Sequence, residues 1–193
     1  MLRVLLVCTG NICRSPMAHG FLEERSKRLL GGGLKVRSAG TWARAGYGAT
    51  EEAVAVAAER GIDIAGHRTT TFGPDLAGWA DLVITMTAEQ RDEVLHAAPS
   101  ATTKTFTLKE LVPILGALPP VEGLLSRESL LARVAEADRL RHEGSAPRPV
   151  DQDVADPLGL GMDAYRGTAW EIEELVDAAV RGLAGQQVPA EEA

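Results

Sequence analysis

Continuous apolar runs alternate with amphipathic stretches along this chain. Val4 to Val7 form an apolar run typical of a strand buried on both faces, which predicts a strand over residues 2–8. An amphipathic stretch follows over residues 15–30 and stops at three consecutive glycines, Gly31 to Gly33, which favours a helix. The same alternation predicts strands over 34–38, 82–86 and 104–106, and helices over 50–60, 88–97 and 164–183. We therefore predict a three-layer α/β fold with a four-stranded parallel sheet and helices on both faces.

One segment, residues 113–150, departs from this alternation. Pro113 and the Pro119-Pro120 pair are predicted to break the preceding helix, and the apolar spacing within residues 126–141 predicts an amphipathic helix. We expect a single domain over residues 1–184 with an insert at about 113–150, followed by a C-terminal tail at 185–193. Our preferred position for the inserted helix is beside the mouth of the site described below. A solvated helix without a function is the alternative.

Composition and charge fit one compact domain. The chain has 193 residues, of which 45% are hydrophobic, enough to build a single core. Its formal net charge of −7 argues against nucleic acid or an anionic membrane as the main partner. The chain has no apolar run of membrane-spanning length and no signal-peptide pattern at its N-terminus. Its two cysteines share one short motif, unlike a secreted disulfide framework, so we expect a cytoplasmic protein.

The chemistry of the chain is concentrated between Cys8 and Pro16, which we call the cysteine loop over residues 8–15. Cys8 ends the first predicted strand, Arg14 follows after five residues, and Ser15-Pro16 is a helix-start signal. A strand-to-helix turn directs backbone N–H groups and the positive end of a helix dipole at one point. The arrangement suits the binding of a phosphate that a thiolate attacks. The alternative is a buried cysteine beside an ordinary strand–helix turn.

Each residue type in this loop has a chemical reason to be there. The thiolate of Cys8 is the nucleophilic form, and backbone amides and the Arg14 guanidinium both favour its negative charge. The planar fork of Arg14 can also hold two phosphoryl oxygens at once. Ser15 can donate a hydrogen bond to the sulfur and help it leave as a thiolate. Gly10 and Asn11 tolerate backbone geometry that other residues resist.

These residues resemble the motif of the low-molecular-weight protein tyrosine phosphatase family of the bacterial type. The matching segments are residues 7–18, Ser38 to Thr41, residues 61–68 and Ala155-Asp156-Pro157, in the order of the family. The resemblance covers most of residues 1–183 and implies a flavodoxin-like fold. It implies phosphate binding by Thr9, Gly10, Asn11, Ile12, Cys13, Arg14 and Ser15.

The resemblance also implies a mechanism with a phosphocysteine on Cys8 and a separate proton donor. Asp156 is the candidate acid because it precedes Pro157 in a stretch that resembles the mobile acid loop of the family, and Asp151 and Asp153 are its rivals. The partner is expected to be a phosphorylated protein, and no metal or cofactor is expected. We expect a monomer or a weak dimer.

Supporting roles follow from the same resemblance. Ser38 and His67 match positions that hydrogen-bond Asn11 and fix the loop, although the sequence alone would favour a surface role for His67. Cys13 matches the position of a redox partner that forms a reversible disulfide with Cys8. The alternative for Cys13 is a small apolar side chain that only fills space.

Substrate choice is the least determined feature. Trp42, Tyr47 and Leu158 are candidates for the wall of a pocket for an aryl phosphate, although either aromatic residue could simply pack its loop. The bacterial protein-arginine phosphatases look similar around the acid loop but carry threonine at the position of Ile12, and so Ile12 favours phosphotyrosine or a general aryl phosphate. A protein-arginine phosphatase is the alternative. An arsenate reductase is a less favoured alternative, because no cysteine follows Cys13 and a reductase would depend on external thiols. A noncatalytic phosphoprotein-binding module would not need Asp156.

Overall fold

The computed structural model describes residues 1–32, 34–121 and 125–186. Gly33 of the predicted glycine stop and most of the predicted tail therefore lie outside the described residues. The described residues form four strands, seven α-helices and one 3-10 helix. The strands are β1 (Leu2–Cys8), β2 (Leu34–Gly40), β3 (Leu82–Thr85) and β4 (Thr105–Thr107). The helices are α1 (Arg14–Leu30), α2 (Glu51–Glu59), α3 (Pro74–Trp79), α4 (Ala88–Ala97), α5 (Leu108–Ala117), α6 (Arg127–His142) and α7 (Met162–Leu183), with the 3-10 helix over Pro99–Lys104.

All four strands are parallel, in the order β2-β1-β3-β4. The last residue of β1, Cys8, lies opposite the last residue of β2, Gly40. The chain leaves β1 for β2 on one side and later places β3 on the other side of β1. This reversal of strand order opens a crevice beyond the carboxyl end of β1, which is where open α/β sheets bind ligands. The cysteine loop lies at this carboxyl end of the sheet.

Alternate residues of β1 pack on the two faces of the sheet. Leu2, Val4 and Leu6 belong to the larger core with buried residues of α1, α5 and α7, whereas Leu5 and Val7 pack on the face covered by α3 and α4. Because both faces are covered, β1 has no solvent-exposed side and needs no polar alternation. The three-layer fold predicted from the sequence is confirmed.

The predicted strands and helices are confirmed with small differences at their ends. Gly31 ends α1 in the left-handed conformation with φ of 60°, as the glycine stop predicted. The sequence analysis missed α3 and the 3-10 helix, since each has six residues, too few to show a helical period. None of the helices in the described ranges is both long and apolar enough to span a lipid bilayer.

The prediction that Pro113 breaks its helix was wrong, because α5 continues through it. Proline cannot donate to the carbonyl of Lys109 one turn earlier, and an interior proline costs a helix about 3 kcal/mol. Ile114 and Leu115 of the same helix are 1% exposed in the larger core. Burying each such side chain contributes about 1.5–3 kcal/mol, enough to offset the proline. The helix ends before the Pro119-Pro120 pair, as predicted.

The predicted amphipathic helix is present as α6, but its preferred position beside the mouth of the site was wrong. Arg127 at its start lies 2.9 Å from Asp81, which also pairs with Arg3 near the beginning of β1. The start of α6 therefore lies at the amino-terminal end of the strands, whereas the cysteine loop lies at their carboxyl end. It is not a solvated helix either, since Leu130 and Val134 are buried in the larger core. The domain limits 1–184 and the insert at about 113–150 stay predictions.

Candidate active site

The cysteine loop connects the end of β1 to the start of α1. Cys13 is the N-cap residue of α1, so the first free N–H groups of the helix point back towards Cys8. Asn11 has φ of 54° and is the one non-glycine residue with positive φ among the described residues. This left-handed turn is what the sequence analysis expected of asparagine. It brings the Asn11 N–H to 3.2 Å from Cys8 Sγ.

Cys8 is buried and faces hydrogen-bond donors. Its Sγ lies 3.0 Å from Ser15 Oγ, and the side-chain Nδ2 of Asn11 donates to that same Oγ at 2.8 Å. Because Asn11 occupies the acceptor side of the Ser15 hydroxyl, the hydroxyl proton is free to point at the sulfur. Two donors, Ser15 Oγ–H and the Asn11 N–H, are therefore directed at the sulfur of Cys8.

Asn11 is held by contacts on both of its carbonyl groups. Thr70 N donates to the side-chain Oδ1 at 2.8 Å, and His67 Nε2 lies 2.8 Å from the main-chain oxygen. A carbonyl oxygen only accepts, so His67 carries its proton on Nε2. Burial lowers the pKa of His67, which favours the neutral imidazole. The contact expected of His67 is present, whereas Thr70 gave no sequence signal because its main chain makes the contact.

The contact expected between Ser38 and Asn11 was wrong. Ser38 Oγ lies 3.5 Å from Nδ1 of His19, on the side of the loop away from Cys8. The Asn11 amide is already occupied by Ser15 and Thr70. Ser38 is therefore close to the loop without holding it.

Gly40 lies directly against the cysteine loop. A Cβ atom at this position would lie 2.4 Å from Thr9 O and 2.9 Å from Asn11 N. The Gly40 N–H donates to Thr70 O at 2.9 Å, which joins β2 to the segment that holds Asn11. Only glycine allows this close approach of two backbones.

Arg14 and Asp156 meet at the open side of the loop. The Arg14 guanidinium is 4% exposed and donates to Val154 O at 3.1 Å and to Asp156 Oδ2 at 2.5 Å. The Asp156 side chain is 44% exposed, so it faces both the loop and solvent. Its other oxygen accepts from Leu158 N at 3.1 Å, which fixes the turn after Pro157. The structure thus binds Asp156, 142 residues further along the chain, to Arg14 of the loop that carries Cys8.

The two rival carboxylates are directed elsewhere. Asp151 Oδ2 pairs with Lys109 Nζ at 3.0 Å, and the hydrogen bonds from the main-chain N–H of Asp153 and from Lys109 lower the pKa of Asp151. Asp153 Oδ1 accepts from Ala88 N at 2.7 Å, at the start of α4. Both hold the segment in place along α4 and α5. Of the three carboxylates, Asp156 is the one beside Arg14.

Gln90 ties the other end of the loop to the sheet, a role that sequence reasoning missed. Its Nε2 donates to Thr9 Oγ1 at 3.0 Å, and its Oε1 accepts from the main-chain N–H groups of Met86 and Thr87. Gln90 is 3% exposed, so these bonds are shielded from water. The capping pattern from Thr87 to Gln90 was the available signal.

Cys13 lies in a small buried polar cluster behind the loop. Its Sγ is 3.4 Å from the hydroxyl of Tyr165 and 3.6 Å from Thr50 Oγ1. Burial raises the pKa of the Cys13 thiol, and burial also raises the pKa of Tyr165 to about 12. Cys8 and Cys13 are both free thiols. Tyr165 was missed because it falls on the apolar stripe of α7, where an aromatic residue indicates core.

Aromatic side chains line a groove beside the loop, which we call the aromatic groove. Its volume is about 470 Å³, and it is formed by Gly10, Ile12, Trp42, Ala43, Arg44, Tyr47, Gly48, Thr50 and Thr69. Trp42 is 76% exposed, and its indole Nε1 donates to Glu93 Oε1 at 2.8 Å. Leu158, the third predicted wall residue, is exposed on the turn after Asp156 and does not line this groove.

Within the described ranges, no cluster of three or more histidine, cysteine, aspartate or glutamate side chains could hold a metal ion. The ion pair at the cysteine loop is the one between Arg14 and Asp156.

Comparison with known proteins agrees with this arrangement. A sequence model described as "Low molecular weight phosphotyrosine protein phosphatase" matches residues 3–118. The chain belongs to this family. Solved structures of the family share the fold. The low-molecular-weight protein tyrosine phosphatase from T. tengcongensis is 33% identical with a TM-score of 0.71, covering 94% of this chain and 99% of that one.

Relatives with two different names resemble this phosphatase. A protein-arginine-phosphatase from Geobacillus stearothermophilus is 34% identical over 185 residues, covering 96% of this chain and 98% of the relative. Its solved arginine phosphatase structure has a TM-score of 0.70 at 32% identity, covering 94% of this chain and 92% of that one. A probable low molecular weight protein-tyrosine-phosphatase from Ralstonia solanacearum is 42% identical over 108 residues, covering 56% of this chain and 71% of the relative.

Proposed function

We propose that this member of the family is a metal-independent protein-tyrosine phosphatase that forms its phosphocysteine on Cys8. The observation that carries the proposal is the position of Cys8 Sγ next to two hydrogen-bond donors, in the loop whose Arg14 binds Asp156. A thiolate, an anion-binding loop and a carboxylic acid within one crevice suit phosphoryl transfer. A noncatalytic phosphopeptide-binding site would need the loop and Arg14 but not Asp156.

The first transfer moves the phosphoryl group from the substrate oxygen to sulfur. The Cys8 thiolate attacks phosphorus in line, while loop amides and Arg14 hold the three equatorial oxygens. The bond from phosphorus to the leaving oxygen breaks, and Asp156 donates its proton to that oxygen. Arg14 pairs with the Asp156 carboxylate in the structure, so the incoming phosphoryl group competes for the guanidinium, and the released carboxylate takes up a proton from water before it acts as the acid.

The second transfer returns Cys8 to its starting state. Asp156, now ionised, removes a proton from water as the water oxygen attacks the phosphocysteine. The sulfur–phosphorus bond breaks, and Cys8 leaves as a thiolate that the Ser15 hydroxyl stabilises from 3.0 Å. Inorganic phosphate is the product, and Asp156 is protonated again.

The lining of the aromatic groove supports phosphotyrosine as the substrate. Ile12, Trp42 and Tyr47 offer flat and largely apolar surface beside the cysteine loop, which suits an aryl ring. Phosphoarginine is the second candidate, because the arginine phosphatase relative is similar over nearly the whole chain. Two free thiols fit a reducing cytoplasm, where we place the enzyme.

The mechanism is tested by hydrolysis of aryl phosphates in the presence of chelator and reductant. We expect Cys8→Ser to abolish turnover and Asp156→Asn to lower kcat by about 10²–10⁴-fold. The loss in Asp156→Asn is expected to shrink as the leaving phenol becomes more acidic, because a better leaving group needs less protonation. Asp153→Asn is the matched control and should retain activity. Equal losses across leaving groups would remove Asp156 from the role of acid.

Substrate choice is tested with matched phosphotyrosine and phosphoarginine peptides. We expect the wild type to prefer phosphotyrosine and Ile12→Thr to shift kcat/KM towards phosphoarginine. Wild-type preference for phosphoarginine would replace the first candidate by the second. Loss of all activity in Cys8→Ser on both peptides would leave the mechanism intact in either case.

A further inference from the structure

A further cavity, lined mainly by residues with polar or basic groups, lies beside the segment that holds Asn11. Its volume is about 400 Å³, and it is lined by His19, Arg37, Ser38, His67, Arg68, Thr70 and Leu76. Six of these seven side chains are polar or basic, and none is a carboxylate. We call it the basic cavity. His67 and Thr70 contact Asn11 from its wall, so it borders the cysteine loop without being part of it.

The two arginines of the basic cavity are not neutralised. Neither Arg37 nor Arg68 forms an ion pair with a carboxylate among the residues that the structure describes, although the chain as a whole has a formal net charge of −7. Arg37 is positioned by the ring of Trp79, 4.4 Å from its guanidinium carbon. Arg68 Nη1 donates to His67 O at 2.6 Å, which leaves its other N–H groups unused by that bond.

The two histidines of the cavity each gain a second N–H donor when the imidazole is protonated. Burial lowers the pKa of both His19 and His67, which favours the neutral imidazoles. Acidic neighbours lie on the other side of them. Glu23 is 3.5 Å from His19 Nε2, and Asp63 lines a separate cavity of about 190 Å³ that also touches both histidines. Arg37 and Arg68 are the charged groups on the side of the basic cavity.

We propose that the basic cavity binds a small multivalent anion, with the chemistry of free phosphate or a polycarboxylate, as a second anion site beside the cysteine loop. Two guanidinium forks, two imidazoles and the hydroxyls of Ser38 and Thr70 surround enough space for such an ion. The anion supplies the negative charge that the cavity lacks. Binding there is separate from the phosphatase reaction and needs no turnover.

Linkage gives the site a measurable signature. An anion that lies among the imidazoles binds the protonated forms more tightly, so its binding raises the pKa of His19 and His67. His96 and His142, the other two of the four histidines, lie outside the cavity and serve as internal controls. Phosphate in the cysteine loop can also act on His67 through Asn11. His19 makes no hydrogen bond to the cysteine loop among the described contacts, and it is therefore the primary reporter.

The experiment is a pH titration of the four imidazoles by NMR in the full chain, without added anion, with inorganic phosphate and, separately, with citrate. We expect the pKa of His19 to rise by about 0.5 or more with at least one anion, with no comparable change at His96 or His142. Phosphate and citrate distinguish a phosphate site from a general polycarboxylate site.

Variants separate the basic cavity from the cysteine loop. The double change Arg37→Gln with Arg68→Gln should abolish the shift at His19 while leaving inhibition of the phosphatase by phosphate in place. Arg148→Gln is the matched control, since Arg148 is an exposed arginine outside the cavity. No shift at His19 with either anion in the wild type overturns the proposal, and so does an equal shift in the double variant. Neither result depends on whether the chain hydrolyses phosphotyrosine.

Discussion

Replacing Gly40 by alanine tests whether the position of the cysteine loop limits the reaction. The new Cβ would lie 2.4 Å from Thr9 O and 2.9 Å from Asn11 N, and both atoms belong to the backbone. Real Cβ atoms do not approach other atoms within 3.0 Å, so the loop and β2 must separate by about 0.6 Å. No side-chain rotation can absorb this change.

The cost of that movement falls on catalysis more than on stability. Misplacing reacting groups by about 1 Å lowers rates by roughly 10²-fold, so a shift of this size should lower kcat/KM by about 10–100-fold. Overpacking costs about 1–3 kcal/mol in free energy of unfolding, less than the ~5–15 kcal/mol of a typical domain. Gly40→Ala should therefore remain folded while losing activity.

The assay measures kcat and KM on an aryl phosphate together with urea unfolding. Gly78→Ala is the matched control, because a Cβ at this helical position meets nothing within 4 Å. It should keep full activity and gain about 0.5–1 kcal/mol of stability from the better helix former. A folded Gly40→Ala variant with kcat/KM within threefold of the wild type would refute the reasoning that a close fit to β2 positions the loop.

Three further predictions concern single contacts. Trp42→Phe removes the hydrogen bond from the indole N–H to Glu93 but keeps an aromatic side chain in the wall of the groove. The KM for an aryl phosphate should therefore rise about two- to fivefold with kcat unchanged. A fall in kcat of the same size would contradict a role in the wall. Tyr165→Phe should lower the free energy of unfolding in urea by about 1 kcal/mol, because the buried hydroxyl forms a hydrogen bond with Cys13. Tyr47 is exposed, so Tyr47→Phe should change it very little. Equal losses in the two variants would contradict this prediction. Burial opposes ionisation of Asp81, but hydrogen bonds from Arg3 and Arg127 lower its pKa to about 2. The ionised Asp81 therefore contributes about 2 kcal/mol to the free energy of unfolding above pH ~4, and this contribution is lost as the pH falls towards 2. The Asp81→Asn variant should be less stable than the wild type at pH 7 and match it near pH 2, and a constant difference would refute this linkage.

The strands, the main helices and the strand-to-helix loop after Cys8 could be predicted because each leaves a local pattern. A buried run gives β1, and the spacing of Cys8 and Arg14 at a strand-to-helix turn gives an anion site. The contacts that hold the loop leave no local pattern in the sequence. Thr70 acts through its main chain, Gln90 bonds Thr9 from 81 residues away, and Tyr165 reaches Cys13 across 152 residues. The prediction for Ser38 failed for the same reason, since proximity to the loop does not fix the partner of a hydroxyl.

The proposed chemistry and the proposed substrate choice involve different parts of this fold. Cys8, Arg14 and Asp156 meet at the crevice beyond β1, whereas Trp42 and Tyr47 line the aromatic groove after β2. Ile12 belongs to both, since it lies in the cysteine loop and lines the groove. A change at this position can therefore alter the group presented to Cys8 without moving the nucleophile or the acid. That separation explains how one scaffold carries relatives named for tyrosine and for arginine, and why similarity over the whole chain identifies the reaction more firmly than the residue that is dephosphorylated.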